Sequence, residues 1–246
     1  MHFWLCPVFA FLVGSIPFGL LIARAKGIDI RAQGSGNIGA TNVLRVVGRK
    51  YGILCLVLDL LKGFLPVVIA INLVHVEGRP PTVPLPALVP WGATVPPDHP
   101  QAAQWTHIAT ALAAILGHNY SPWLGFRGGK GIATSAGALL ALMPAAVAVL
   151  IGVWLALFLT TRYVSVASIG AALALPLLTH LGARWHRLDA ADPASPSLWQ
   201  AGAWNRPLFF STLVIAALAV WKHRANLRRL LAGSENRFQR KPPPAP

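Results

Sequence analysis

The chain has 246 residues, 55% of them hydrophobic and only 11% charged. Water-soluble domains carry roughly 25% charged residues, so an ordinary soluble enzyme is excluded and long uncharged stretches are required. The net charge of +14 would suggest nucleic acid in a soluble chain; in a membrane protein cytoplasmic basic loops explain much of it, and no nucleic-acid partner is expected.

Residues 3–23 form the first uncharged run. No Lys or Arg precedes it and no small-x-small cleavage site follows it, so it reads as a retained span rather than a signal peptide. Residues 51–74 form the second span, and 106–118 a short third. The run 131–161 is longer than the ~20 residues one crossing needs. Met143-Pro144 at its middle predicts a break, giving two short spans or a re-entrant pair. Spans six and seven fall at about 164–182 and 207–221.

Basic residues set the orientation. Arg24, Lys26, Arg31, Arg45, Arg49 and Lys50 fill the first loop, Arg127 and Lys130 the third, and Lys222 to Lys241 the tail. Residues 75–105 hold only Arg79 against Glu77 and Asp98. The expectation is an all-α integral membrane protein with about seven transmembrane helices, N-terminus outside and C-terminus cytoplasmic. Residues 75–105 and 183–206 would then be extracytoplasmic loops, and 237–246 a disordered tail. Cys6 and Cys55 would lie in opposite leaflets, too far apart to bridge. No Cys/His spacing implies a metal, and no cofactor is expected.

The basic face also carries the polar motifs. The first loop reads GSGNIGATNVLR from Gly34 to Arg45. Its glycines allow consecutive N–H groups to converge. Ser35, Asn37, Thr41 and Asn42 add side-chain donors beside Gly36, and Arg45 adds a fork for phosphate oxygens. A flexible loop or helix start is the bland alternative. The third loop ends F126-R127-G128-G129-K130-G131. It misses the Walker pattern by one glycine position, and Gly131 replaces the magnesium-binding Ser or Thr. A Gly128-Gly129-Lys130 turn opening a helix still suits an anion. The competing reading is a positive anchor, with Trp123 and Phe126 in the interface belt.

Asp59 and Lys62 share a face of the second span and read as a structural ion pair, with a direct substrate role as the alternative. Ser165 stands at the start of span six, as a cap or a ligand. His223, Asn226 and Arg229 form one polar stripe in the tail.

Three segments, GSGNIGATNVLR, GHNYSPWLGFRGGKGIATS and HRANLRRLLAGSEN, resemble the signature motifs of the bacterial acyl-phosphate:glycerol-3-phosphate acyltransferases. LDLLKG and RYVSVASI fall between them in family order. The resemblance implies a single membrane-embedded acyltransferase domain over 1–246 in the bacterial inner membrane. It would move a fatty acyl group from acyl-phosphate to the 1-hydroxyl of glycerol-3-phosphate. By motif position it implies catalytic roles for Ser35, Arg45, Lys130 and His223. Substrate contacts would come from Gly36, Asn37, Thr41, Asn42, Gly128, Gly129, Ser165 and Asn226. Membrane lipid, both substrates and the soluble enzyme that makes acyl-phosphate are the implied partners. None of the eight histidines has an Asp five positions on, so the His–Asp pair of the acyl-CoA-dependent enzymes is absent. A phosphorylated-solute transporter is the rival from another class, but no internal repeat is visible.

Overall fold

The structure, a computed structural model, describes residues 3–78, 81, 83–181 and 206–238. It is built of helices: α1 (Leu5–Ser15), α2 (Phe18–Arg24), α3 (Ala40–Val46), α4 (Arg49–Leu73), α5 (Gln101–Asn119), α6 (Ile132–Leu142), α7 (Pro144–Thr161), α8 (Val164–His180), α9 (Arg206–Lys222) and α10 (Arg224–Leu231).

Polar and apolar residues are distributed inside out. Asp59, Lys62, Asn72, Gln104, His107 and His118 are buried, while Leu12, Leu56, Val149, Ile151, Leu159 and Leu177 are exposed. In water that arrangement would leave a large apolar surface open to aggregation. In a bilayer it puts hydrocarbon against lipid and ionisable groups inside the bundle. Leu5–Arg24, Arg49–Leu73 and Pro144–Thr161 are long and apolar enough to span. The pair α9 and α10, bent by 55°, makes a fourth if taken as one span. α6 and α8 are shorter apolar helices.

Two of the breaks in the apolar runs fall at prolines, whereas Pro66 and Pro176 lie inside α4 and α8 without ending them. Pro17 disfavours helical geometry at Ile16, which sits at φ −60°, ψ 119° and separates α1 from α2. The break expected at Met143-Pro144 is present: Met143 leaves helical geometry (φ −149°, ψ 67°) and Pro144 opens α7. α4 runs unbroken for 25 residues, about 37 Å at 1.5 Å per residue.

Close helix contact rests on small residues. A Cβ on Gly63 would run into the carbonyl oxygen of Thr134, and one on Gly137 into that of Leu60, so α4 and α6 pack backbone to backbone. Cys6 and Cys55 are buried free thiols.

The all-α expectation needs one correction. The segment after α4 pairs Val74–Val76 (β1) with Ala93–Val95 (β2) in a small parallel ladder. Asn72 organises it. Its amide donates to the carbonyls of Val68 and Val83 at 2.8 and 2.9 Å, and its oxygen accepts from Leu85 N at 2.7 Å. Three-residue strands are too short for any alternation to be read. The expected loop 183–206, apart from Arg206, lies outside the described residues. So does the expected disordered tail beyond Phe238.

Candidate active site

The tail folds back through a change of direction at His223, between α9 and α10. The His223 Nδ1 stands 2.8 Å from the carbonyl of Ala219. A carbonyl only accepts, so Nδ1 carries the proton. In the neutral ring Nε2 is then left as an acceptor.

One turn further on, Asn226 meets Glu235. The Asn226 amide donates to Oε1 at 2.6 Å, the Ser165 hydroxyl donates to the same oxygen at 2.9 Å, and Arg229 Nε donates to Oε2 at 2.7 Å. Ser165 therefore ties α8 to the tail rather than capping its own helix. Partial burial opposes ionisation of Glu235. The hydrogen bonds from Asn226, Arg229 and Ser165 outweigh it and hold the carboxyl below its ordinary pKa.

Next to Glu235 the chain crosses the first loop. Arg45 Nη2 donates to the carbonyl of Asn236 at 3.3 Å, and its guanidinium lies over the Phe238 ring at 5.4 Å. Phe238 in turn donates its N–H to the carbonyl of Arg162 at 2.9 Å and meets Phe158 edge-on. Residues 234–238 thus strap α3, α8 and α10 together. Lys130 projects into the same field. Burial lowers its pKa to about 8; Glu235 works against that, while Arg229 and Arg45 add to it. Burial also lowers the pKa of Arg45.

Arg45, Lys130, Ser165, His223 and Asn226 therefore gather in one place. Other expected residues do different work. The Asn42 amide nitrogen donates to the carbonyls of Ile30, Gln33 and Asn37, and its oxygen accepts from Ser35 N at 2.9 Å. Asn37 accepts the N–H of Gly39. Gly36 (φ +69°) turns the chain, its N–H donating to Gln33 O. These residues shape the loop that presents Ser35 and Thr41, whose hydroxyls make no hydrogen bond among the described residues. Gly128 and Gly129 donate their amides to the carbonyls of Asn119 and His118. In the third loop the backbone donors left open are those of the first turn of α6, whose N–H groups lack helical partners.

Glu235 lies outside the polar stripe and carries no expected role, and Arg229, though on the stripe, has no partner that helical spacing could name. A signal for Glu235 was available: it is the only acidic residue among the basic ones from Lys222 to Lys241.

Residues 4–233 match the family model described as glycerol-3-phosphate acyltransferase. The chain belongs to that family. It is 42% identical over 231 residues to the glycerol-3-phosphate acyltransferase of Geobacter sulfurreducens, covering 94% of each chain. It is 38% identical to that of Aquifex aeolicus, covering 94% of this chain and 96% of the relative. The fold is similar to that of PlsY, an integral membrane glycerol 3-phosphate acyltransferase. The glycerol 3-phosphate form of PlsY superposes with a TM-score of 0.74 at 37% identity, covering 97% of this chain and 96% of PlsY. The lysophosphatidic acid form gives 0.71. The acyltransferase motifs of the first loop, third loop and tail are the segments that meet around Glu235.

Proposed function

We propose that this glycerol-3-phosphate acyltransferase takes its acyl group from acyl-phosphate and delivers it to the 1-hydroxyl, giving lysophosphatidic acid and inorganic phosphate. One observation carries the reading. Three cations, Arg45, Lys130 and Arg229, act on each other around a single carboxylate, Glu235. Such a surplus of positive charge is costly unless anions fill it. Two phosphate-bearing substrates supply them.

Acyl-phosphate carries its own leaving group, so no protein nucleophile is required. The glycerol oxygen attacks the acyl carbonyl carbon, the carbonyl–phosphate C–O bond breaks, and phosphate leaves with the electron pair. Lys130 and Arg45 balance the developing charge. His223 Nε2 accepts from a glycerol hydroxyl and, with Asn226, orients the acceptor. The hydroxyl proton passes to a substrate phosphate. Ser35 and Thr41 add hydroxyl contacts from the shaped loop.

Seven crossings fit this chemistry: α1 with α2, then α4, α5, α6, α7, α8 and α9. With the basic loops inside, this reading has the site facing the cytoplasm of a bacterial cell and the segment between α4 and α5 facing outward. The soluble enzyme that makes acyl-phosphate would deliver its product to the same face.

Purified protein with labelled glycerol-3-phosphate tests the donor. Lysophosphatidic acid should form from acyl-phosphate and not from acyl-CoA. Product from acyl-CoA alone would overturn the proposal.

Lys130 also predicts a pH dependence. Its ammonium is charged below about 8 and loses its proton as pH rises through that value. kcat/KM, which reports the free enzyme, should fall above that pH while kcat holds, because a bound phosphate keeps the lysine charged. Lys130→Arg should remove the fall, since guanidinium stays protonated.

His223→Gln separates orientation from base catalysis. If His223 only orients, kcat/KM falls about tenfold, mainly through KM. A fall in kcat of about 10²–10⁴ with unchanged KM would assign it the proton instead.

A further inference from the structure

The glycines before Lys130 are a packing seat. Gly128 N–H donates to Asn119 O at 3.2 Å and Gly129 N–H to His118 O at 3.1 Å, both on the last turn of α5. A Cβ on Gly128 would run into the His118 carbonyl oxygen, and one on Gly129 into the His118 ring at Nε2. The turn therefore lies flat on His118, and the ring sets how far the next residue, Lys130, stands from α5.

His118 is itself held from below. It is buried. Its Nδ1 has no hydrogen bond and stands 3.7 Å from Asp59 Oδ1. The same Asp59 oxygen lies 2.8 Å from Lys62 Nζ, and Lys62 donates to Ile16 O at 2.7 Å, the carbonyl at the break before Pro17. A polar line runs from the α1–α2 break through Lys62, Asp59 and His118 to Gly129. A mere space-filler at 118 would be an apolar side chain, because a buried imidazole with an unpaired nitrogen costs stability.

We infer that His118, steadied by the Asp59–Lys62 pair, is a positioning residue that sets the reach of Lys130 toward the substrate phosphate. The inference rests on the reading that Lys130 meets that phosphate. The imidazole touches no substrate; it acts through the turn it supports.

Shape rescue tests it on the full-length protein. Gly129→Ala pushes a methyl into the ring and should raise KM for the phosphate substrates about tenfold with a smaller change in kcat. His118→Ala alone removes the seat and should move KM in the same direction. In the double variant the methyl fills space the ring has left. Its kcat/KM should then stand at least about threefold above the product of the two single effects, as residues in contact couple. Strictly multiplicative losses would overturn the inference. Asp59→Asn should shift KM with His118→Ala; a loss of folded protein with unchanged kinetic constants would reduce the pair to a structural role and overturn its part. The four proteins of the cycle are also melted. If the wild type itself makes no lysophosphatidic acid, the functional reading fails. The melting cycle then still reports whether His118 and Gly129 couple, and additive shifts in Tm would sink the seat independently.

Discussion

Lys130→Ala should lower kcat/KM by about 10²–10³, the range seen when one preorganised donor to a developing oxyanion is lost. The side chain is half-buried, and desolvation already depresses its pKa to about 8, so water screens its charge less than at the surface. Arg45 and Arg229 remain in the variant and keep part of the attraction for phosphate. KM for the phosphate substrates should therefore rise only in part, and kcat should fall with it. Steady-state kinetics on purified Lys130→Ala, with a melting curve to show intact folding, checks this. A variant within about threefold of the wild type would remove Lys130 from the chemistry. Lys130→Arg should recover only partly, since a planar fork does not reproduce a point charge.

The second large effect is expected at Glu235. Its carboxylate is the shared acceptor for Ser165, Asn226 and Arg229, and each hydrogen bond to a charged group contributes about 1.5–3 kcal/mol. Glu235→Ala leaves three donors without an acceptor and frees the strap that carries the Asn236 carbonyl to Arg45. Activity should fall by about 10² or more, together with a lower Tm, because breaking one part of a coupled polar network disturbs the rest. Glu235→Gln keeps one acceptor oxygen for Ser165 and Asn226 but turns an amide toward Arg229. It should lie between alanine and wild type in both activity and Tm. Equal performance of Gln and Glu would show that the negative charge is not what orders the site.

The same residue shows where reading a linear sequence stops. His223, Asn226 and Arg229 are legible as a stripe because helical spacing is local. Glu235 lies past the end of α10, beyond the helical period, and its partner Ser165 is 70 residues away. A lone acid in a basic tail hints at a role without naming the partner. The third loop illustrates the opposite error. Glycine beside lysine suggested backbone amides aimed at an anion, yet Gly128 and Gly129 give their amides to α5. Likewise Asn42, grouped with the substrate contacts by motif, holds four backbone groups of its own loop.

The sequence by itself determined the membrane setting, the break at Pro144, the order of the motifs and the family they resemble. Those properties follow from composition, local backbone sterics and short spacing. Only the tertiary structure decided that the tail straps over the first loop, that Glu235 gathers α8 and α10, and that His118 lies beneath Lys130. Each is a contact between distant segments, and such contacts depend on how the helices pack, which no local period encodes.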